Sequence, residues 1–319
     1  MKLPSLSFVV LLLAALFWSG CGEGGSEEKT ETDSAPEEPS LATLPASGRS
    51  VQWKELPVLS PESIIGDGEF YYVSNVGKEL KPSEKDGDGF IMKLNGEGEV
   101  IAEKFIEGLD APKGSAIIDG IFYVADIDQV KAFDLATGDS STLIDFSSTG
   151  TQFLNDLVPM GENLLVSATD INRIYQINLA DGSFSEIEIK PTVQGPNGLW
   201  YNASKKELTV ATYPPEPKGL LYGIDMSKKV DGAYSAKAKA TYEGTLDGLA
   251  VIGDYAFVSD WNRQTVVIVN TATGQVSGSG LSAQVQGPAD FFLDTQKGEI
   301  WLPGMMENTI SIQTLPKTN

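Results

Sequence analysis

Glu62, Asn155, Asn197 and Asp247 share one recurring context: each sits in a short triplet that leads into an apolar run. Lys113 and Asp290 hold the matching place in two further copies. Carboxylate and amide oxygens are hard donors, the kind that Ca2+ and Mg2+ prefer. Carboxylates brought together repel unless something positive lies between them. A set like this, aimed at one point, calls for a cation: either a metal ion or the ammonium group of Lys113.

The spacing of the copies indicates what positions them. They read "PESIIGDGEFYYVSNV" from 61, "PKGSAIIDGIFYVADI" from 112, "LNDLVPMGENLLVSATD" from 154, "PNGLWYNASKKELTVATY" from 196, "LDGLAVIGDYAFVSDW" from 246 and "PADFFLDTQKGEIWLPGM" from 288. The aligned residues Glu62, Lys113, Asn155, Asn197, Asp247 and Asp290 are 51, 42, 42, 50 and 43 positions apart. Each copy holds two apolar runs separated by polar turn residues. A third run and a turn follow, as in "NRIYQINLADGS" and "QTVVIVNTATGQ", and then a weaker fourth. Short strands with regular turns and no convincing helix predict an all-β fold. Six copies of about four strands, near 45 residues each, predict a six-bladed β-propeller with four-stranded blades over residues 49–319. A β-sandwich does not account for the six spaced copies.

In such a ring the first strand of every blade lines the central channel. The six triplets therefore meet at one end of it. The hairpin return of the second strand brings Asn75, Asp126, Asp170, Tyr213, Trp261 and Met305 to the same rim. Asn197-Gly198 and Asp247-Gly248 read as turn dipeptides; Glu62 is no turn former and needs another reason to be there. The sixth copy ends after its third strand, near Leu315. The segment "SVQWKELPVL" at 50–59 is expected to supply the missing strand and close the ring, which removes exposed edges.

The triplets and their spacing resemble the senescence-marker-protein/gluconolactonase family, which also includes luciferin-regenerating-enzyme-like propellers, over about residues 56–316. That resemblance implies a central divalent cation, Ca2+ or another such as Mg2+, Mn2+ or Zn2+. It would be held by Glu62 in "SPESI", Asn197 in "GPNGL" and Asp247 in "LDGLA", with the Asn155-Asp156 pair of "FLNDL" beside them. It also implies hydrolysis of a small-molecule lactone or ester, with Asp247, or Asp156, assisting the attacking water. The chain departs from the family pattern at Phe153, where the sugar-lactone hydrolases carry an arginine. Phe153, Tyr213, Trp261 and the Met305-Met306 pair are expected to give the mouth an apolar character, with Lys113 and Asp290 also at the rim. A propeller that binds a ligand or a protein without catalysis is the alternative, and it has no need of the Glu, Asn and Asp set.

Composition removes other chemistries. The chain has no histidine and one cysteine, so it holds no Ser-His-Asp triad, no histidine-based zinc site and no internal disulfide. The formal net charge of −21 disfavours nucleic acid, which needs basic patches. The stretch "EKDGDGFIMKLN" at 84–95 resembles a calcium loop but starts with Glu84 and ends with Asn95, where a bidentate Glu is needed. It reads as a turn between two strands.

The first 20 residues read as a secretory signal: Lys2, an apolar core over 6–18, then small residues before Cys21. "SGC" resembles a bacterial lipobox, which predicts lipid on Cys21 and export to a bacterial membrane, on the periplasmic face or at the cell surface. Residues 22–48 carry seven acids and one lysine, a net charge of 1 − 7 = −6, and are rich in Gly, Ser and Pro. The segment 21–48 is expected to be a lipidated cysteine followed by a solvated tether.

Overall fold

Runs such as "TVVIVN" and "YAFVSD" are too short and too β-branched for helices, and glycine or Asn/Asp turns end them. In the computed structural model, which describes residues 40–45, 52–54, 56–215, 218–281 and 285–315, they form six sheets, antiparallel but for one added strand, arranged as a six-bladed β-propeller. Among the described residues the one helical element is a single 3-10 turn, Ser147–Thr149.

Five of the blades are made of consecutive strands. Blade 1 starts with Pro61–Gly66 and Tyr71–Asn75, blade 2 with Pro112–Ile118 and Ile121–Asp126, and blade 3 with Leu154–Met160 and Asn163–Ala168. Blade 4 starts with Pro196–Asn202 and Glu207–Thr212, and blade 5 with Leu246–Ile252 and Tyr255–Asp260. Blade 4 gains a fifth strand, Ile189–Lys190, which runs parallel to Tyr234–Tyr242. Blade 6 consists of Phe292–Asp294, Glu299–Gly304 and Thr309–Thr314, and its outer strand is Gln52–Lys54 from the start of the body. Gln52 pairs with Ile312 and Lys54 with Ile310, so the ring closes by joining the two ends of the domain, as the incomplete sixth copy predicts.

The core is divided among the blade interfaces. Tyr72 and Ile91 of blade 1 pack with Phe122 and Val124 of blade 2. Equivalent clusters lie between every other neighbouring pair, including blades 6 and 1, where Trp301 and Ile312 meet Val73 and Met92. Tyr71 stacks on Trp301 across this seam with ring centroids 3.7 Å apart. Each blade buries one face against each neighbour, so no blade is stable alone.

Residues 40–45 depart from the expectation of a solvated tether. Leu41 is 3% exposed and Leu44 8% exposed, and both pack into the cluster between blades 5 and 6. Two leucines near the end of an otherwise polar segment reverse its behaviour, because burying apolar surface outweighs ordering a short turn. Cys21, the signal segment and most of the tether lie outside the described residues.

Candidate metal centre

The strand that lines the channel is irregular in the same place in every blade. In blade 4, Pro196 pairs with Thr212 and Leu199 with Val210, so Asn197 and Gly198 together face the single residue Ala211. The same slip places Lys113-Gly114, Asn155-Asp156 and Asp247-Gly248 in bulges, and Glu62 is the extra residue between Pro61 and Ser63. In blade 6, residues 289–291 lie between the pairs Pro288–Gly304 and Phe292–Trp301 and face only 302 and 303. A bulge re-aims a side chain that the plain alternation of a strand would send into a blade interface. It is the local reason that Glu62, Lys113, Asn155, Asn197 and Asp247 form one ring; in blade 6 the matching residue is Ala289, and Asp290 takes the place that Asp156 has in blade 3, which corrects its expected alignment with Asn155.

This corrects the turn reading of Asn197-Gly198 and Asp247-Gly248, since both pairs lie inside strands. Their glycines serve the next blade. A Cβ on Gly198 would stand 2.3 Å from the Asp247 carbonyl oxygen, and one on Gly248 2.7 Å from the Asp290 Cα. Gly114 likewise leaves room for Asp156, whose Cα would be 2.7 Å from an added Cβ. These three glycines let the first strands approach closely around the axis.

Four ring residues share a further property. Glu62, Asn155, Asn197 and Asp247 are all buried, and each has a side-chain oxygen with no hydrogen-bond partner: Oε2, Oδ1, Oδ1 and Oδ1. Buried polar atoms are nearly always paired, so four orphaned acceptors at equivalent places in blades 1, 3, 4 and 5 form an unmet demand for positive charge. They are the four residues that the family resemblance implies as cation ligands. Among the described residues no three His, Cys, Asp or Glu side chains group to hold a metal by themselves; two carboxylates and two amides make up this set.

The electrostatics agree. Burial raises the Glu62 carboxyl well above its ordinary range, and the Asp247 charge adds to this. Asp247 is pushed up to about 7 by burial and then by Asp290, against a side-chain hydrogen bond from Asn197. Asp290 is raised to about 6 by burial. The protein on its own therefore tends to keep protons on these carboxyls, which a cation would displace.

Asp156 and Asp290 differ from the other carboxylates in being fully engaged. Asp156 Oδ1 accepts the Leu157 N–H at 2.7 Å, and Oδ2 accepts the Leu199 N–H of blade 4 at 2.6 Å. Asp290 Oδ1 accepts the Phe291 N–H at 3.0 Å, and Oδ2 accepts the Ser63 hydroxyl of blade 1 at 2.7 Å. Both carboxylates brace one blade to the next.

Lys113 belongs to the ring but not to an open rim. It is 0% exposed, and its Nζ donates to Pro82 O at 2.7 Å and Ala111 O at 3.0 Å. The Phe153 ring lies 4.6 Å from the same Nζ. Burial lowers the ammonium to about 8, opposed first by the Glu62 charge. Lys113 thus bonds to carbonyls and acts on the ring carboxylates only at a distance. Pro82 belongs to a loop, residues 77–88, that crosses from blade 1 onto blade 2. Lys85 Nζ is 2.6 Å from Asp128 Oδ2, and Gly87 N donates to Asp110 Oδ1 at 3.1 Å. The calcium-loop-like stretch starts in this flap, with Asp88 Oδ2 accepting the Lys78 N–H.

The rim expected from the second strands is off by one residue in blades 1, 2 and 3. Asn75 and Asp126 turn back to the loop that enters their own blade: Asn75 Oδ1 accepts the Leu59 N–H and Asp126 Oδ1 the Ala111 N–H. Asp170 does the same for Gln152 N in blade 3. The residue just after each second strand faces the channel end instead. Val76, Ile127 and Thr169 were missed, while Tyr213, Trp261 and Met305 fit the position. The signal was present in the sequence as an apolar residue following a polar one in "SNV" and "ADI".

No family model matches the chain, and no curated protein matches it either. Solved structures do. The β-propeller domain of Cps50 (Swd1) from Myceliophteria thermophila aligns with a TM-score of 0.57 at 10% identity, covering 85% of this chain and 100% of that one. An auxiliary nutrient binding protein from Bacteroides ovatus aligns with a TM-score of 0.62 at 10% identity, over 80% of this chain and 69% of that one. Kuenenia stuttgartiensis hydrazine synthase aligns with a TM-score of 0.57 at 16% identity, over 81% of this chain and 77% of that one. At such identities the likeness is one of fold, and the fold it shows is the β-propeller.

Proposed function

We propose that this chain is a divalent-cation-dependent hydrolase of a lactone or ester, of the senescence-marker-protein/gluconolactonase type, exported and held at a bacterial membrane by lipid on Cys21. One observation carries the reading: four buried oxygens, from Glu62, Asn155, Asn197 and Asp247, lack partners and stand at equivalent bulges around one axis. Glu62 and Asp247 supply negative charge, and Asn155 and Asn197 add neutral donors, a set suited to Ca2+ and tolerant of Mg2+, Mn2+ or Zn2+. A bound cation of this kind supplies Lewis acidity toward a carbonyl oxygen. Asp247, a carboxylate of the ring with one oxygen free of partners, is the group that would accept a proton from the attacking water. Asp156 has both oxygens committed to backbone N–H groups, so proton transfer falls to Asp247.

The test is calorimetric titration of Ca2+ into the chelator-treated full-length chain and its Asn197→Ala variant, followed by a screen of lactones and esters. Saturable one-to-one binding that the variant loses, with hydrolysis that needs the ion, supports the proposal. Binding without hydrolysis would make the chain a ligand-binding propeller. No binding would remove the metal reading and leave the ring to its protons and Lys113.

A further inference from the structure

We propose that the ligand of the oxygen ring is an uncharged, apolar lactone or ester, with its hydrocarbon part held between Phe153, Tyr213 and Trp261. This rests on the metal-hydrolase reading and names the substrate class for the same site.

The channel end carries a second ring outside the polar one. The residue that follows the second strand is Val76, Ile127, Thr169, Tyr213, Trp261 and Met305 in blades 1 to 6. On the side of blades 6, 1 and 2 this ring is closed. Val76, Ile127 and Met305 are buried in one cluster with Ala111 and Ala289, and the 77–88 flap is tied over blade 2. On the side of blades 3 to 5, Phe153, Tyr213 and Trp261 are only partly buried. Their backbones are linked to the same entry loops: Thr169 N donates to Phe153 O, Tyr213 N to Gly195 O and Trp261 N to Thr245 O. Three half-buried aromatic side chains thus border the ring on this side, and Trp261 also packs against the closed cluster.

Charge and hydrogen bonding narrow the class. Lys113 is the cation acting on Glu62 and Asp247, and it is sealed beneath Pro82 and Phe153. A carboxylate or phosphate ester would meet four neighbouring acids, Glu62, Asp156, Asp247 and Asp290, whose charge one divalent cation does not balance, with Lys113 out of reach. A polyhydroxylated lactone fares no better. The Thr169 hydroxyl already donates to Pro196 O at 2.8 Å. A polyol entering here would leave hydroxyls unpaired, whereas an alkyl or aryl group gains by burial.

The test compares γ-dodecalactone with glucono-δ-lactone on the calcium-loaded full-length chain, by turnover and by calorimetric binding. The expected kcat/KM favours γ-dodecalactone by on the order of 100-fold, the worth of a few buried methylenes. Phe153→Arg and Trp261→Ala should each raise KM for γ-dodecalactone more than they lower kcat, with the melting temperature recorded to show that each variant folds. Preference for glucono-δ-lactone overturns the substrate class and leaves the hydrolase reading standing. Binding of γ-dodecalactone without turnover supports the class and removes the hydrolase. Absence of both binding and turnover for γ-dodecalactone overturns the class whatever else the chain does.

Discussion

Asp156 of blade 3 reaches the backbone of Leu199 in blade 4: its Oδ2 accepts the Leu199 N–H at 2.6 Å while its Oδ1 holds the Leu157 N–H. Asp290 repeats the arrangement from blade 6 to blade 1 through Ser63 and Phe291. Two carboxylates at equivalent places in blades 3 and 6 thus act as braces, whereas Glu62 and Asp247 keep an oxygen free. The distinction separates structural from ligand-binding acids within one ring.

Asp156→Ala should be a stability variant. It strands two buried backbone N–H groups, at about 1–3 kcal/mol each, which for a domain of this size lowers the melting temperature by roughly 5–15 °C. Thermal unfolding measures it. A melting temperature within about a degree of the parent would mean that the brace carries no load.

Asp247→Asn should behave in the opposite way. Removing one charge from a cluster of buried acids relieves repulsion, so the chelated protein should keep or gain stability. Ca2+ affinity and any hydrolysis should fall by about 100-fold or more, since a central charged ligand is gone. Calorimetry and differential scanning on the same samples separate the two effects, and a variant that binds Ca2+ normally would remove Asp247 from the ligand set.

Proton linkage gives a third expectation for the metal-free chain. Asp247 and Asp290 sit at about 7 and about 6, above the ordinary carboxylate values they recover on unfolding. Between about pH 4 and pH 7 the folded state therefore holds more protons than the unfolded one, and stability falls as pH rises through that window. The stability these groups contribute is fully present below about pH 4 and is lost as pH passes their folded values. Saturating Ca2+ should flatten or reverse the slope, because the ion replaces the protons. Melting curves from pH 4.5 to 7.5 with chelator and with Ca2+ would check it; parallel curves would mean that the ion does not reach these acids.

How far the sequence reveals this molecule depends on the length scale. The six-fold spacing, the apolar runs and the unfinished sixth copy were readable because repetition averages out local noise, so blade count and ring closure were legible. The ring positions of Glu62, Asn155, Asn197 and Asp247 were legible for the same reason. What sets their orientation was not. A bulge leaves two residues opposite one, a fact about pairing that Asn197-Gly198 does not announce. Cross-blade contacts of Gly198 and Asp156 join residues about 45 positions apart and have no local signature. The off-by-one reading of Asn75 and Asp126 arose because a polar strand end looks like a rim residue until its partner, the entry loop of its own blade, is in place.

Gly198→Ala tests the packing of the ring without removing a polar group. The added methyl would lie 2.3 Å from the Asp247 carbonyl oxygen and 2.9 Å from the Leu249 Cβ, so blade 4 must move away from blade 5. Overpacking of this kind costs about 1–3 kcal/mol, and here it also displaces a candidate ligand. Both melting temperature and Ca2+ affinity should fall. An unchanged Ca2+ affinity would place the cation away from blade 5.

Leu41 and Leu44 give the last prediction, which concerns the junction between tether and body. Both are buried against the blade 5–6 core with Phe257, Phe291 and Ile300, although the residues before them are acidic and polar. A tether that ended freely at residue 48 would gain nothing from leucine there. Each Leu→Ala change should cost about 2–5 kcal/mol if the pocket cannot collapse. The double variant should unfold at a clearly lower temperature, and protease should cleave it sooner near residue 45, while Ca2+ affinity at the distant ring stays the same. A double variant as stable as the parent would mean that this segment rests on the propeller without anchoring it, and that the folded body begins at the closing strand Gln52–Lys54.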